Sequence, residues 1–149
     1  MTTFMTSRMG RLRLPSLCLV SDRSLCGGKS LEDVVSQAID GGANVVQLRE
    51  TDLPAGDLFA LGVRLRAVTK NRSLLLINDR LDIVQACGAD GAQLPENGLP
   101  TSVARWVLGR HALLGRSVHS VEAAKQAEAD GVDMVIVGPV FETSSKSKA

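Results

Sequence analysis

A chain of 149 residues with 44% hydrophobic and 22% charged residues has the size and composition of one globular domain, not of a disordered or fibrous protein. Its formal net charge of +1 and 3% aromatic content supply neither the basic field nor the stacking surface that nucleic-acid binding needs, so a small-molecule ligand is expected. No apolar run approaches the ~20 residues of a membrane span, and the widely spaced Cys18, Cys26 and Cys87 fit neither a disulfide framework nor a zinc site, which points to a reducing cytoplasm.

Residues 1–14 carry Arg8, Arg11 and Arg13, no acid and no apolar segment of the secretory kind, and read as an N-terminal tail ahead of a domain over 15–149. An organelle-targeting peptide, or a start at Met5 or Met9, is compatible with the same composition. From there the chain alternates. A strand signal begins at Ser16 ("SLCLVSD"), and a helix over Leu31 to Asp40 follows Ser30 as N-cap. A strand from Asn44 ("NVVQLRE") precedes a helix over Pro54 to Lys70, and a strand from Ser73 ("SLLLIND") precedes one over Arg80 to Cys87. A strand from Gly91 ("GAQLPE") leads to a helix over Pro100 to Leu108. A strand from Ala112 ("ALLGRSVH") leads to a helix over Val121 to Asp130, with Ser120 as N-cap, and Met134 opens "MVIVGPVF".

Most of these strands are near-continuous apolar runs, as in parallel sheets buried on both faces. The phrases "DGGAN", "CGADG" and "ADGVD" put glycine where a helix turns left-handed before the next strand. "GGANVVQL", "GADGAQL" and "GVDMVIV" form a weak internal repeat. Repeated βα units predict right-handed crossovers, and hence an open doubly wound sheet or a closed barrel.

In either architecture ligands gather at the carboxyl ends of the strands. That rule collects Ser21, Asp22, Gln47, Arg49, Glu50, Asn78, Asp79, Gln93, Ser117, His119, Gly138 and Thr143. Residues two apart on a strand share a face, which pairs Gln47 with Arg49 and Ser117 with His119. Arg49 suits an anionic ligand or an ordinary ion pair. Asp79 suits a metal or ligand, or the N-cap of the helix from Arg80, and Asn78 a ligand or the same turn. Thr143 to Lys146 read as a frayed tail or an anion-binding loop. His119 stands just before a helix N-terminus, whose positive end would favour a neutral, base-competent imidazole, against the alternative of a hydrogen-bonded structural histidine. "CGGKS" fails as a phosphate loop because its first glycine would fall at Arg23, and Cys87 reads as a core residue.

Together "VVQLRE", "LLINDRLDIVQACGADGAQL", "LLGRSVHSVEAAKQAEADGVDMVIVGPVF" and "ETSSK" resemble the thiamine phosphate synthase superfamily, which includes the TenI-type thiazole tautomerases. The resemblance covers residues 16–146 and implies an α/β fold, the (β/α)8 TIM barrel, and a phosphorylated thiazole as substrate. For the synthase branch it implies a pyrimidine diphosphate as second substrate, pyrophosphate release and Mg2+. The implied site is Gln47, Arg49, Asn78 and Ser117 for substrate, Asp79 for metal, and Thr143 and Lys146 near the pyrophosphate. The lysine usual after "QLRE" is Thr51 here, and the second metal-binding aspartate falls at about Gly98.

Both departures weaken diphosphate departure, because Mg2+ wants carboxylates and the leaving charge wants a cation. The tautomerase branch tolerates them, needs no cofactor, and implies His119 as the acid/base. Tautomerase is therefore the leading expectation, with synthase and a non-catalytic barrel fragment as alternatives. Only six βα units are legible where a full barrel takes ~250 residues, so strands seven and eight are expected beyond Ala149. The first and sixth strands would then offer unpaired edges, open to aggregation or to pairing in a homo-oligomer.

Overall fold

The computed structural model describes residues 11–141. Its elements are β1 (Cys18–Val20), a 3-10 turn (Arg23–Leu25), α1 (Leu31–Asp40), β2 (Val45–Leu48), α2 (Ala55–Thr69), β3 (Leu74–Asn78), α3 (Leu81–Cys87), β4 (Gly91–Leu94), α4 (Thr101–Leu108), β5 (Leu113–Val118), α5 (Val121–Ala129) and β6 (Met134–Val137). The expected elements are all present. The sixth strand is shorter than its apolar run because Pro139 has no N–H to donate to a ladder. The capping chemistry is also as expected: Ser30 Oγ accepts from Asp33 N–H and Ser120 Oγ from Ala123 N–H. Gly42, Gly88 and Gly131 each take positive φ, at 108°, 66° and 79°.

The six strands form one sheet in the order β1-β2-β3-β4-β5-β6, with every pair parallel. Each strand's neighbour is the next in sequence, so no reversal of strand order occurs and successive crossovers wind in one sense. This settles the choice left open by the pattern: the sheet is the curled wall of a half-barrel, not a doubly wound sheet. Among the described residues, β1 and β6 each pair on one side only.

The main core lies between the convex face of the sheet and the helices. Val46, Leu48, Leu75, Ile77, Ala92, Leu94 and Leu114 pack there against Leu31, Val35, Leu58, Leu61, Leu65 and Val84. Cys87 is buried in this core, as expected, and burial pushes its thiol pKa up. Alternation sends Val45, Leu76 and Leu113 to the opposite, concave face, where they form a smaller cluster.

The internal repeat has a concrete role at the amino ends of the strands. Asn44, Asp90 and Asp133 stand just before β2, β4 and β6. Each accepts the backbone N–H of a residue at or near the start of the preceding strand, Leu17, Leu75 and Leu114, at 2.9, 2.8 and 2.8 Å. Arg66 of α2 and Arg105 of α4 hold the two aspartates at 2.8 and 2.9 Å. Arg11 also pairs with Asp90, and Asn44 donates to the Arg13 carbonyl, so the segment before β1 is tied to this end of the sheet.

Candidate functional site

At the carboxyl ends the concave face turns polar. Val46 and Leu48 point to the helices, so Gln47 between them faces inward with Val45. Gln47 Nε2 donates to Asn78 Oδ1 at 3.1 Å, and Gln93 Nε2 donates to Ser117 Oγ at 3.2 Å. Asn78 and Gln93 are register partners, so the four side chains form a row across β2 to β5. Gly115 makes room for this row, because a β-carbon there would lie 2.0 Å from Gln93 Oε1. That oxygen is buried and accepts no hydrogen bond among the described residues.

Arg49 follows β2 with an exposed guanidinium that makes no ion pair among the described residues, so the ion-pair alternative is not realised. Glu50, grouped with it in the sequence, has a different task. Its carboxylate accepts from Ser21 Oγ at 2.7 Å and from Arg23 Nε at 3.1 Å, which locks the turn after β1 to the end of β2.

Asp79 does not cap α3. Its backbone is left-handed (φ 60°), and the cap position falls to Arg80, which offers no side-chain bond. The Asp79 carboxylate is exposed and accepts no hydrogen bond among the described residues. It lines a cavity of about 190 Å³ with Glu50, Thr51, Asn78 and Arg80 on the polar side and Leu48, Leu53 and Leu58 of the helix-facing core on the other. Arg80 turns instead to Asp82 at 2.6 Å, which holds the Asp82 carboxyl below its ordinary range.

His119 follows β5, and its ring is half exposed. Its Nδ1 lies 2.5 Å from Glu96 Oε2, and its backbone N–H donates to Glu96 Oε1 at 3.2 Å. The contact holds the Glu96 carboxyl below the usual range. Chain order alone sets His119 beside the N-terminus of α5; its carboxylate partner, Glu96, comes from a segment distant in sequence. The signal is present in the chain, since Glu96 lies two residues past the end of β4, the strand next to β5 in a parallel sheet. The pairing also selects the tautomer: with Nδ1–H donated to Glu96, Nε2 is the accepting nitrogen of the neutral ring.

The expected position of a second metal carboxylate, Gly98, lies in the tight turn after β4. A β-carbon there would sit 2.8 Å from Pro95 Cδ. The turn has no space for a side chain, and among the described residues no group of three or more His, Cys, Asp or Glu could hold a metal ion. Thr143 and Lys146 lie outside the described residues.

A parallel half-barrel with helices on its convex face and amides, a hydroxyl, an imidazole, a guanidinium and a carboxylate at its carboxyl rim has the architecture of the (β/α)-barrel class, with its polar groups at the end of the strands where that class binds ligands. The family profile described as thiamine monophosphate synthase matches residues 17–149, and the chain belongs to that family. It is 44% identical over 129 residues to a thiamine-phosphate synthase of Haloarcula marismortui, covering 86% of this chain and 61% of the relative. It is 47% identical over 133 residues to a putative thiamine-phosphate synthase of Geobacter sulfurreducens, covering 89% and 62%. A solved structure, thiamine phosphate pyrophosphorylase from Pyrococcus furiosus, superposes with a TM-score of 0.79 at 34% identity, covering 86% of this chain and 62% of that one. The chain thus spans 61% and 62% of the length of these two curated relatives. No helix among the described residues is long and apolar enough to cross a membrane.

Proposed function

We propose that the chain carries the rim of a thiamine phosphate synthase, which joins a pyrimidine diphosphate to a thiazole phosphate. In that reaction the thiazole nitrogen forms a bond to the pyrimidine methylene carbon as the carbon–oxygen bond to pyrophosphate breaks. The relatives' names move this reading ahead of the tautomerase expected from the sequence. The observation that carries it is the Asp79 carboxylate, which makes no hydrogen bond among the described residues and stands at a cavity in the same rim as the exposed Arg49.

Arg49 offers a guanidinium fork to a phosphate or diphosphate. The amides of Gln47 and Asn78 and the hydroxyl of Ser117 orient the rings, and Thr143 and Lys146 are proposed near the pyrophosphate. Mg2+ takes one or two carboxylates plus substrate phosphate oxygens, and Asp79 fits as one of them. When bound, the ion would screen the charge that builds on the departing diphosphate.

The test is pyrophosphate release with both substrates and Mg2+. Asp79→Asn should lower kcat by about 100-fold or more, the scale of losing a principal electrostatic stabiliser. Release that Asp79→Asn or removal of Mg2+ leaves unchanged would overturn the reading.

A second reading, the thiazole tautomerase, rests on a separate observation: the turn that has Gly98 in place of the second metal carboxylate also carries Glu96, which pairs with His119. Here His119 takes a proton from one ring position of the thiazole and returns it at another, with no metal required. Metal-free isomerisation of a thiazole carboxylate phosphate tests it. His119→Ala should cost about 10²–10⁴-fold, the range for a lost general acid/base. Full activity in that variant would remove His119 from the chemistry.

A further inference from the structure

Arg116 is an arginine among aliphatic neighbours. It pairs in register with Leu94, is only 8% exposed, and meets no carboxylate among the described residues. Its charge is spread instead over a single turn. Nη1 donates to the carbonyls of Pro95 and Glu96, both at 3.1 Å, and Nη2 donates to the Leu99 carbonyl and to Thr101 Oγ1 at 3.4 Å. All four acceptors lie within residues 95–101, the turn after β4 and the first residue of α4. The turn closes on itself as well, with Gly98 N–H donating to the Pro95 carbonyl at 3.0 Å.

Burying a guanidinium is costly unless its donors are satisfied; Nε has no partner among the described residues, so the four Nη bonds alone offset the burial, and relaxing the turn would strand the charge. The residue gripped at its backbone, Glu96, is the one whose carboxylate holds both the N–H and the Nδ1 of His119. Arg116 and His119 lie on and just after the same strand, so clamp and imidazole keep a fixed spacing and the turn bridges them.

We infer that Arg116 is a positioning residue that holds the turn after β4 so that Glu96 reaches His119 and determines which imidazole nitrogen carries the proton. Its bearing on catalysis rests on the tautomerase reading; the positioning itself does not. Without the clamp Glu96 is a glutamate on the turn of residues 95–100, and side-chain entropy works against its holding a half-exposed ring.

The test is nitrogen NMR of the imidazoles in the free protein, which has only two histidines, so a His111→Gln variant identifies the His119 signals. In its neutral form, His119 is expected mainly as the Nδ1–H tautomer. Glu96→Ala should shift it to the Nε2–H form preferred by free imidazole. Arg116→Met should reproduce the Glu96→Ala spectrum, and Arg116→Lys should restore part of the original signal. An unchanged Nδ1–H tautomer in Arg116→Met, or an Nε2–H tautomer in the unmodified protein, would overturn the inference. Should Arg116→Met fail to fold, Gly98→Ala disturbs the same turn from the other side and is read the same way, with an unchanged tautomer overturning it. No substrate is needed. A protein with the expected tautomers and no isomerase activity would therefore sink the tautomerase reading while leaving the clamp in place.

Discussion

At the scale of single residues, the site depends on space as much as on functional groups. Gly98 stands where the resemblance implies a second metal-binding aspartate, and the Pro95 ring occupies the room that its β-carbon would need. Gly98→Asp should therefore fail to restore a two-carboxylate metal site and should instead destabilise the protein by about 1–3 kcal/mol, the usual cost of overpacking. Thermal melts with and without Mg2+ check this: a variant as stable as the parent that gains Mg2+-dependent stabilisation would contradict it.

Acid should act through the paired carboxylates. Glu32 beside Arg64, Asp82 beside Arg80 and Glu96 beside His119 all have folded pKa values below their ordinary ones. The folded state thus binds fewer protons than the unfolded one, and the stability this supplies is complete above the unfolded carboxylate range, about pH 4. It is lost as pH falls through the lowered values. Asp82 is exposed and Glu32 and Glu96 are half-buried, so solvent still screens all three and a shallow decline in denaturation midpoint below about pH 4 is expected, not a cliff. A midpoint that rises on acidification would show the opposite linkage.

At the scale of elements, the capping serines and the helix-ending glycines could be read directly because they act on backbone groups within a few residues in sequence. Most of the helix boundaries follow from them. The repeated phrases before β2, β4 and β6 were visible too, but their task was not. That each Asn or Asp accepts an N–H of the preceding strand depends on parallel register, which places Asp133 beside Leu114, a residue distant in sequence. Asp133→Ala removes the acceptor for that N–H and for Arg105 at once. Chemical denaturation should show a loss of about 3 kcal/mol, as when one partner of a buried pair is deleted. A loss below ~0.5 kcal/mol, typical of an ordinary surface change, would mean that the latch contributes little.

At the scale of the whole molecule, β6 leaves apolar surface in the open. Val135, Ile136 and Val137 are 39%, 37% and 57% exposed, and Val140 and Phe141 beyond the strand are 73% and 82% exposed. The strand also has a free edge among the described residues. A surface of this kind recruits another strand or a second copy. Sedimentation velocity of the 149-residue chain should show concentration-dependent association, weakened by Val137→Lys. A monomer at all concentrations, indifferent to that substitution, would show that the edge is not a pairing surface.

By itself the sequence determined the alternation of strand and helix, the end of the sheet at which the polar residues gather, and the residues Gln47, Arg49, Asn78, Ser117 and His119 as members of that rim. These are consequences of local periodicity, capping and strand polarity, which act over a few residues. Tertiary structure alone decided that the strands run in unbroken order as a curled wall and that Glu50 is spent on Ser21 and Arg23. It also decided that Asp79 stays out of the helix cap, and that Glu96, placed by Arg116, belongs to His119. Each of these is a contact between chain segments brought together by parallel pairing, and side chains from neighbouring strand ends meet only once register and curl are established.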